Sequence, residues 1–314
     1  MPVTLAILAA GRSTRFGRPK QLEPIGPSGE ALFEYAVCDA IRAGIHRVVF
    51  VVPPGEESAF TAQLHARIGR AIPIELVAQR IEDLPPGFRP PPGRGTPWGT
   101  GHAVLSLGRM VREPFLVLNA DDFYGPGIIH RLVRRLGDAR TTGDPSHFLA
   151  GYRLEETPMS GAGGVNRAVC AVDASLILEQ LEEVRDIRPS GLEYRGVGSG
   201  GAELQLKPEA LCSMNLWAFQ PSIFDLLDAS FRRFHARLAD PLESEFLLST
   251  AVGELVGTGR ARVRVVPAEE RAYGMTFPGD VAAVASGVAT AVATGAYPTD
   301  LGEWFERRQS HLPG

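Results

Sequence analysis

Leu8-Ala9-Ala10-Gly11-Arg12-Ser13-Thr14-Arg15-Phe16-Gly17-Arg18-Pro19-Lys20-Gln21 grows out of a short apolar run, residues 3–9, that reads as a buried strand. A strand that ends in a small-residue turn crowded with cations suits phosphate groups. Glycine lets backbone N–H groups close on an anion, and arginine or lysine neutralises its charge. Lys20 stands out further, because the chain has two lysines against 30 arginines. An ammonium kept in so arginine-rich a composition points to a position where a planar guanidinium would not substitute.

The whole chain limits what this turn can serve. Its 314 residues, 44% hydrophobic, support one large core or two closely joined ones. A net charge of −4 argues against general attraction to nucleic acid. Any anion site is therefore local, and Arg12, Arg15, Arg18 and Lys20 provide one. Cys38, Cys170 and Cys212 are odd in number and far apart. That pattern makes neither a disulfide framework nor a zinc site, and it fits a reducing cytosol. The opening apolar run is too short for a signal peptide, and no segment has the length of a membrane span. A cytoplasmic protein without a membrane partner is expected.

Strands expected at residues 3–9, 47–52, 73–78 and 114–119 alternate with helices at 31–43, 56–69, 101–111 and 127–136. This order predicts an α/β fold, a mainly parallel Rossmann-like sheet flanked by helices. Ligands in such sheets lie beyond the carboxyl ends of the strands. Residues 82–97, rich in Pro and Gly, are expected to form a mobile surface loop. Beyond residue 148 the pattern turns mixed. Strands are expected at 148–153, 167–172, 211–219 and 261–266, helices at 222–234 and 243–256, and a hairpin tip at 191–202. One domain over 1–280, divided into halves near 145, is expected to precede a helical tail at 281–314. The apolar part of that tail suits packing against a second copy.

The glycine turn is not one of the common phosphate motifs. A dinucleotide fingerprint needs glycine where Ser13 stands, and a Walker lysine follows its glycine directly, whereas Arg18 and Pro19 intervene here. The segment resembles instead the N-terminal signature of the nucleotidyltransferase superfamily that makes nucleoside-diphosphate sugars, whose Ala-Ala-Gly turn leads to Pro-Lys. Further matches follow in order: Gln79, then Trp98-Gly99-Thr100-Gly101-His102-Ala103, then Leu118-Asn119-Ala120-Asp121-Asp122-Phe123-Tyr124-Gly125. Gly163-Gly164-Val165-Asn166-Arg167, Glu182-Glu183 and Ser213-Met214-Asn215 come after them. The resemblance runs from about residue 3 to 281 and is near the sugar-1-phosphate nucleotidyltransferase branch.

The resemblance implies transfer of a nucleotidyl group from a nucleoside triphosphate to a sugar-1-phosphate, with release of pyrophosphate. The first half would hold the nucleotide and the second the acceptor. Arg15, Lys20 and Asp121 would be catalytic, with Asp121 holding Mg²⁺ and Asp122 positioning it. Ala9, Ala10, Gly11, Arg12, Gln79, Gly99 and Thr100 would bind the nucleotide, and Gly164, Glu183 and Asn215 the sugar. Physically, a carboxylate at the end of a strand is well placed to hold a hard cation over phosphates. An aspartate there can instead cap the helix that begins near Gly127. His102 reads as a structural residue, and Glu183 and Asn215 read nearly as well as ordinary surface polar residues. A glutamine ending the third strand leans towards uracil or thymine.

Two positions depart from the family pattern. Ser13 replaces a glycine, and Gly274 falls where the family supplies a second metal ligand. Either a neighbour substitutes for that ligand, or one carboxylate and the phosphates suffice. Asp280 reads as a helix cap. Two other functions stay open: transfer to a non-sugar phosphate such as phosphocholine, and a non-catalytic nucleotide-sugar-binding regulator.

Overall fold

The computed structural model describes residues 2–11, 20–159, 164–275 and 278–309; Arg12, Arg15 and Arg18 of the cationic turn lie outside the described residues, and Lys20 lies within them. The first half alternates as expected: β1 (Thr4–Leu8), α1 (Leu32–Arg42), β2 (Arg47–Val52), α2 (Glu57–Ile68), β3 (Ile74–Ala78), α3 (Thr100–Leu107), β4 (Phe115–Asn119), the short β5 (Asp122–Phe123) and α4 (Ile128–Thr142). β6 (His147–Arg153), β7 (Val165–Val172), β8 (Leu178–Ser190), β9 (Glu193–Val197), β10 (Glu203–Leu206) and β11 (Leu211–Phe219) follow. The chain then runs through α5 (Ile223–His235), α6 (Leu248–Gly257), β12 (Val263–Pro267), the short β13 (Tyr273–Gly274), α7 (Val281–Ala293) and α8 (Leu301–Gln309).

β4, β1, β2 and β3 lie side by side and parallel, and β11 adds antiparallel to β4. β1 is buried at all five positions, as a strand covered on both faces must be. Leu5 and Ile7 join the core under α1, α2, α4, α7 and α8, whereas Ala6 and Leu8 join the core under α3, α5 and α6. Strand order reverses between β1 and β4, and this switch point is where an open α/β sheet leaves a crevice at its carboxyl edge.

The second half extends the sheet through β7 to β10, with β8 reaching past β7 to pair with β9. Sequence patterning missed β8 and placed only a hairpin tip over residues that include β9. Leu178, Leu181, Val184 and Ile187 are its buried side chains. Their spacing of three imitates a helix, because β-bulges shift the register and Asp186 adopts φ +52°. The helix expected from residue 243 begins only at Leu248, because the backbone before it is bonded to the segment that leads into α3. The tail holds a second helix, α8, with Leu301 and Phe305 buried.

The Pro/Gly stretch has no helix or strand, as expected, but it is pinned rather than loose. Arg94, 8% exposed, donates to the carbonyls of Pro241 (2.8 Å), Ser244 (2.7 Å) and Pro97 (3.2 Å), and its guanidinium lies 3.6 Å from the centre of the Trp98 ring. Trp98 in turn donates its indole N–H to Ile81 O at 2.9 Å.

Candidate active site

Lys20 and Asp121 leave neighbouring strands at the switch point and meet as an ion pair. Lys20 opens a short 3-10 turn after the β1 loop, and its Nζ also donates to Met275 O at 2.9 Å. Asp121 follows the apolar run of β4, and its carbonyl accepts from Met275 N at 3.2 Å. Asp122 sits in β5 directly opposite Gly274 of β13. A Cβ at position 274 would stand 2.5 Å from Asp122 Oδ1, so the Asp122 carboxylate fills the space that a side chain there would need. Burial, reinforced by the negative charge of Asp121, pushes the Asp122 carboxyl up to about 7.

Asp122 is held by a directed chain of hydrogen bonds. The Trp217 indole N–H donates to Asn215 Oδ1 (2.9 Å), Asn215 Nδ2 to Asn119 Oδ1 (2.8 Å), and Asn119 Nδ2 to Asp122 Oδ2 (2.8 Å). An indole N–H can only donate, so every amide in the chain has one allowed orientation. Asn215 reaches its place from a left-handed conformation, φ +61°, where β11 bulges between Ser213 and Trp217. A non-glycine residue held there costs conformational energy and is maintained by its surroundings.

On one side of the ion pair lies a cleft of about 410 Å³ bordered by Ala9, Ala10, Gly11, Gln21 and Gln79. Gln21 Nε2 donates to Ala9 O and Gly11 O, each at 3.2 Å, and so fixes the start of the cationic turn. An adjoining recess adds Thr96, Pro97, Gly99, Thr100, Glu243 and Glu245. Gly99 has φ +90°, and a Cβ there would come 2.9 Å from Phe246 O. The chain around Phe246 docks closely: Phe246 N donates to Trp98 O (2.7 Å), Gly101 N to Phe246 O (2.9 Å), and Leu248 N to Thr100 Oγ1 (3.0 Å). Glycine at 99 and 101 is thus required by this contact as well as by any ligand. His102 is buried in α3 as a structural residue would be, and desolvation holds its imidazole below the usual histidine range.

On the other side lies a pocket lined by Thr100, Asp121, Asp122, Glu183, Asn215 and Arg167, among others. Glu183 accepts from the Ser249 hydroxyl. Gly164 does not line this pocket; a Cβ there would run into the backbone of Asp186. Its neighbours Asn166 and Arg167 do line it, and Arg167 brings a positive charge that opposes the ionisation shift of Asp122. Of the expected site residues, Ala9, Ala10, Gly11, Gln79, Gly99, Thr100, Asp121, Glu183 and Asn215 line three recesses, two of them sharing Gln79 and two sharing Thr100, and Lys20 joins them through its ion pair with Asp121. Sequence reading missed Gln21, Arg167 and the strap residues Thr96 and Pro97. Arg167 lay inside the glycine motif and was the one cation in it.

Residues 5–148 match the family model described as the MobA-like NTP transferase domain. Across the chain, the fold is similar to that of UDP-glucose pyrophosphorylase from Acinetobacter baumanii, with 15% identity, full coverage of both chains and a TM-score of 0.59. A structure of UDP-glucose pyrophosphorylase complexed with UDP-glucose is similar at 17% identity and a TM-score of 0.56, over 91% of this chain and 98% of that one. No curated protein sequence matches the chain at a significant level. Among the described residues, no helix is long and apolar enough to cross a membrane.

Proposed function

We propose that this chain, whose residues 5–148 match the MobA-like NTP transferase domain and whose fold is similar to that of a UDP-glucose pyrophosphorylase, transfers a nucleotidyl group from a nucleoside triphosphate to a sugar-1-phosphate. The observation that carries this reading is the meeting of Lys20 and Asp121 between two recesses, one bordered by Gln79 and Gly99 and the other by Glu183 and Arg167. A donor in the first recess and an acceptor in the second would bring their phosphates together at that junction.

The reaction forms a bond from the acceptor's phosphate oxygen to the α-phosphorus and breaks the bond to pyrophosphate. Lys20, with Arg15 as a further cation, offsets the charge that builds on the α-phosphate, and Arg167 offsets that of the acceptor phosphate. Positioning and preorganised charge supply most of the rate. The residues present fit a divalent ion. The Asp121 carboxylate already meets a cation, the Lys20 ammonium, and Asp122 presents a second carboxylate in the space left by Gly274. Among the described residues no group of three or more His, Cys, Asp or Glu side chains forms a cage. Mg²⁺ is commonly held by one or two carboxylates together with phosphate oxygens and water. Bound by Asp121 and Asp122, it would neutralise triphosphate charge and favour departure of pyrophosphate. Asn119 and Asn215 keep the Asp122 carboxylate aimed.

The test is pyrophosphate release from a matrix of ATP, CTP, GTP, UTP and dTTP against sugar-1-phosphates, phosphocholine and glycerol phosphate, with and without Mg²⁺. Release with a triphosphate and a sugar-1-phosphate is expected. Release only with an alcohol phosphate would move the acceptor class, and binding of a nucleoside-diphosphate sugar without turnover of any pair would make the protein a regulator.

A further inference from the structure

Trp217 lies fully buried in β11, its ring stacked on Phe219 with centroids 5.5 Å apart and planes 11° from parallel. A phenylalanine would keep most of that packing. What the indole alone adds is one N–H, which donates to Asn215 Oδ1 at 2.9 Å. The amides pass the direction on, Asn215 Nδ2 to Asn119 Oδ1 and Asn119 Nδ2 to Asp122 Oδ2, each at 2.8 Å. The line thus runs from the core side of β11, past the end of β4, to β5.

A buried indole ordinarily finds some acceptor, and two observations set this one apart. Asn215 holds φ +61° in the bulge of β11, a costly conformation that stations its amide between the indole and Asn119. The line also ends on one chosen oxygen of a carboxylate that lines the pocket. Among the described residues, the side-chain hydrogen bonds of Asp122 all reach Oδ2. Tyr124 Oη lies 3.4 Å from that oxygen, but its single hydrogen is also claimed by Met214 O at 3.1 Å. Asn119 therefore carries the contact, and Oδ1, the oxygen beside Gly274, is the one offered to a ligand.

Resting on the nucleotidyl-transfer reading, we infer that Trp217 is a positioning residue, fixing through Asn215 and Asn119 which oxygen of Asp122 a divalent ion meets. Its N–H can only donate, so it holds Asn215 with Oδ1 towards the core and Nδ2 towards Asn119. Without it both amides can turn. A turned Asn119 sets its own oxygen against Asp122 Oδ2, and the carboxylate swings away from its aim.

Partners that orient a metal ligand typically contribute about 10–100-fold in metal affinity. Trp217→Phe keeps the ring and removes the N–H. It should raise the Mg²⁺ concentration for half-maximal turnover about tenfold and leave kcat at saturating Mg²⁺ near that of the parent. Asn215→Gly suits the left-handed backbone and removes the link, with a loss of about tenfold or more. Adding Trp217→Phe to Asn215→Gly should cost nothing further, because the two act along one line. Mn²⁺ binding, followed by electron paramagnetic resonance with an α,β-methylene analogue of the triphosphate that the parent uses, should weaken by the same factors without any turnover. Urea unfolding reports the packing separately. Lower stability with unchanged Mn²⁺ affinity in Trp217→Phe would overturn the positioning role, and so would losses that multiply in the double variant. A parent that releases no pyrophosphate from any triphosphate would instead reject the function on which the inference rests.

Discussion

Replacing Arg94 by alanine should loosen the Pro/Gly strap and with it one wall of the donor cleft. The guanidinium makes short bonds to Pro241 O and Ser244 O, a longer one to Pro97 O, and stacks over Trp98. Hydrogen bonds from a charged donor are each worth about 1.5–3 kcal/mol, and the cation–π contact adds about 0.5–2 kcal/mol. Several kcal/mol of this is offset by desolvation of the guanidinium, whose Nε is buried without a partner and whose pKa burial lowers. The freed carbonyls can also turn to water. A net loss of about 2–4 kcal/mol is expected, and it should fall on the strap before the sheet. Urea unfolding measures the stability, and hydrogen exchange over residues 85–97 locates the loss. Because Thr96 and Pro97 border the cleft, KM for the triphosphate should rise several-fold with little change in kcat. A variant within about 0.5 kcal/mol of the parent, with unchanged exchange and KM, would refute the reasoning.

Three further outcomes are expected. Lys20→Ala and Asp121→Ala should each lower turnover by about 10²–10³ with circular dichroism unchanged; near-normal turnover in either removes that residue from the mechanism. Gly99→Ala must hold φ +90° and place its Cβ 2.9 Å from Phe246 O, so its melting temperature should drop by the equivalent of about 1–3 kcal/mol; an unshifted melting curve would show that the Phe246 segment yields freely. Burial pushes the Asp39 carboxyl up from 3.8 to about 7 against a bond from Tyr297 Oη at 2.5 Å. The folded protein thus holds this proton more tightly than the unfolded chain. Its contribution is full below pH 4 and is lost as pH rises through 7, by up to about 4 kcal/mol. Asp39→Asn should flatten the fall in urea midpoint between pH 5 and 8, and an undiminished fall would place its source elsewhere.

The parallel half of the sheet was legible because strands buried on both faces announce themselves as apolar runs, and their helices carry three-to-four-residue spacing. The glycine at 99 was legible as well, since it holds φ +90° with Phe246 O 2.9 Å from where a Cβ would stand. What stayed hidden depends on residues far apart in sequence. Arg94 is anchored by carbonyls 147 and 150 positions away, and proline-rich composition says nothing about such anchors. The match between Asp122 and Gly274 exists only through β-pairing. Asn215 lines the pocket that holds Glu183 and Arg167, and its amide is also engaged by Asn119 and Trp217; no local pattern signals that wiring. β8 was missed because its bulges give buried residues at every third position, a period that a straight strand never shows.

The measurement closest to the central claim follows the label of an α-³²P nucleoside triphosphate mixed with a sugar-1-phosphate and Mg²⁺. Labelled nucleoside-diphosphate sugar and unlabelled pyrophosphate are expected, both depressed together in Lys20→Ala and Asp121→Ala. Label appearing as free nucleoside mono- or diphosphate, or in product formed equally well by both variants, would contradict the claim.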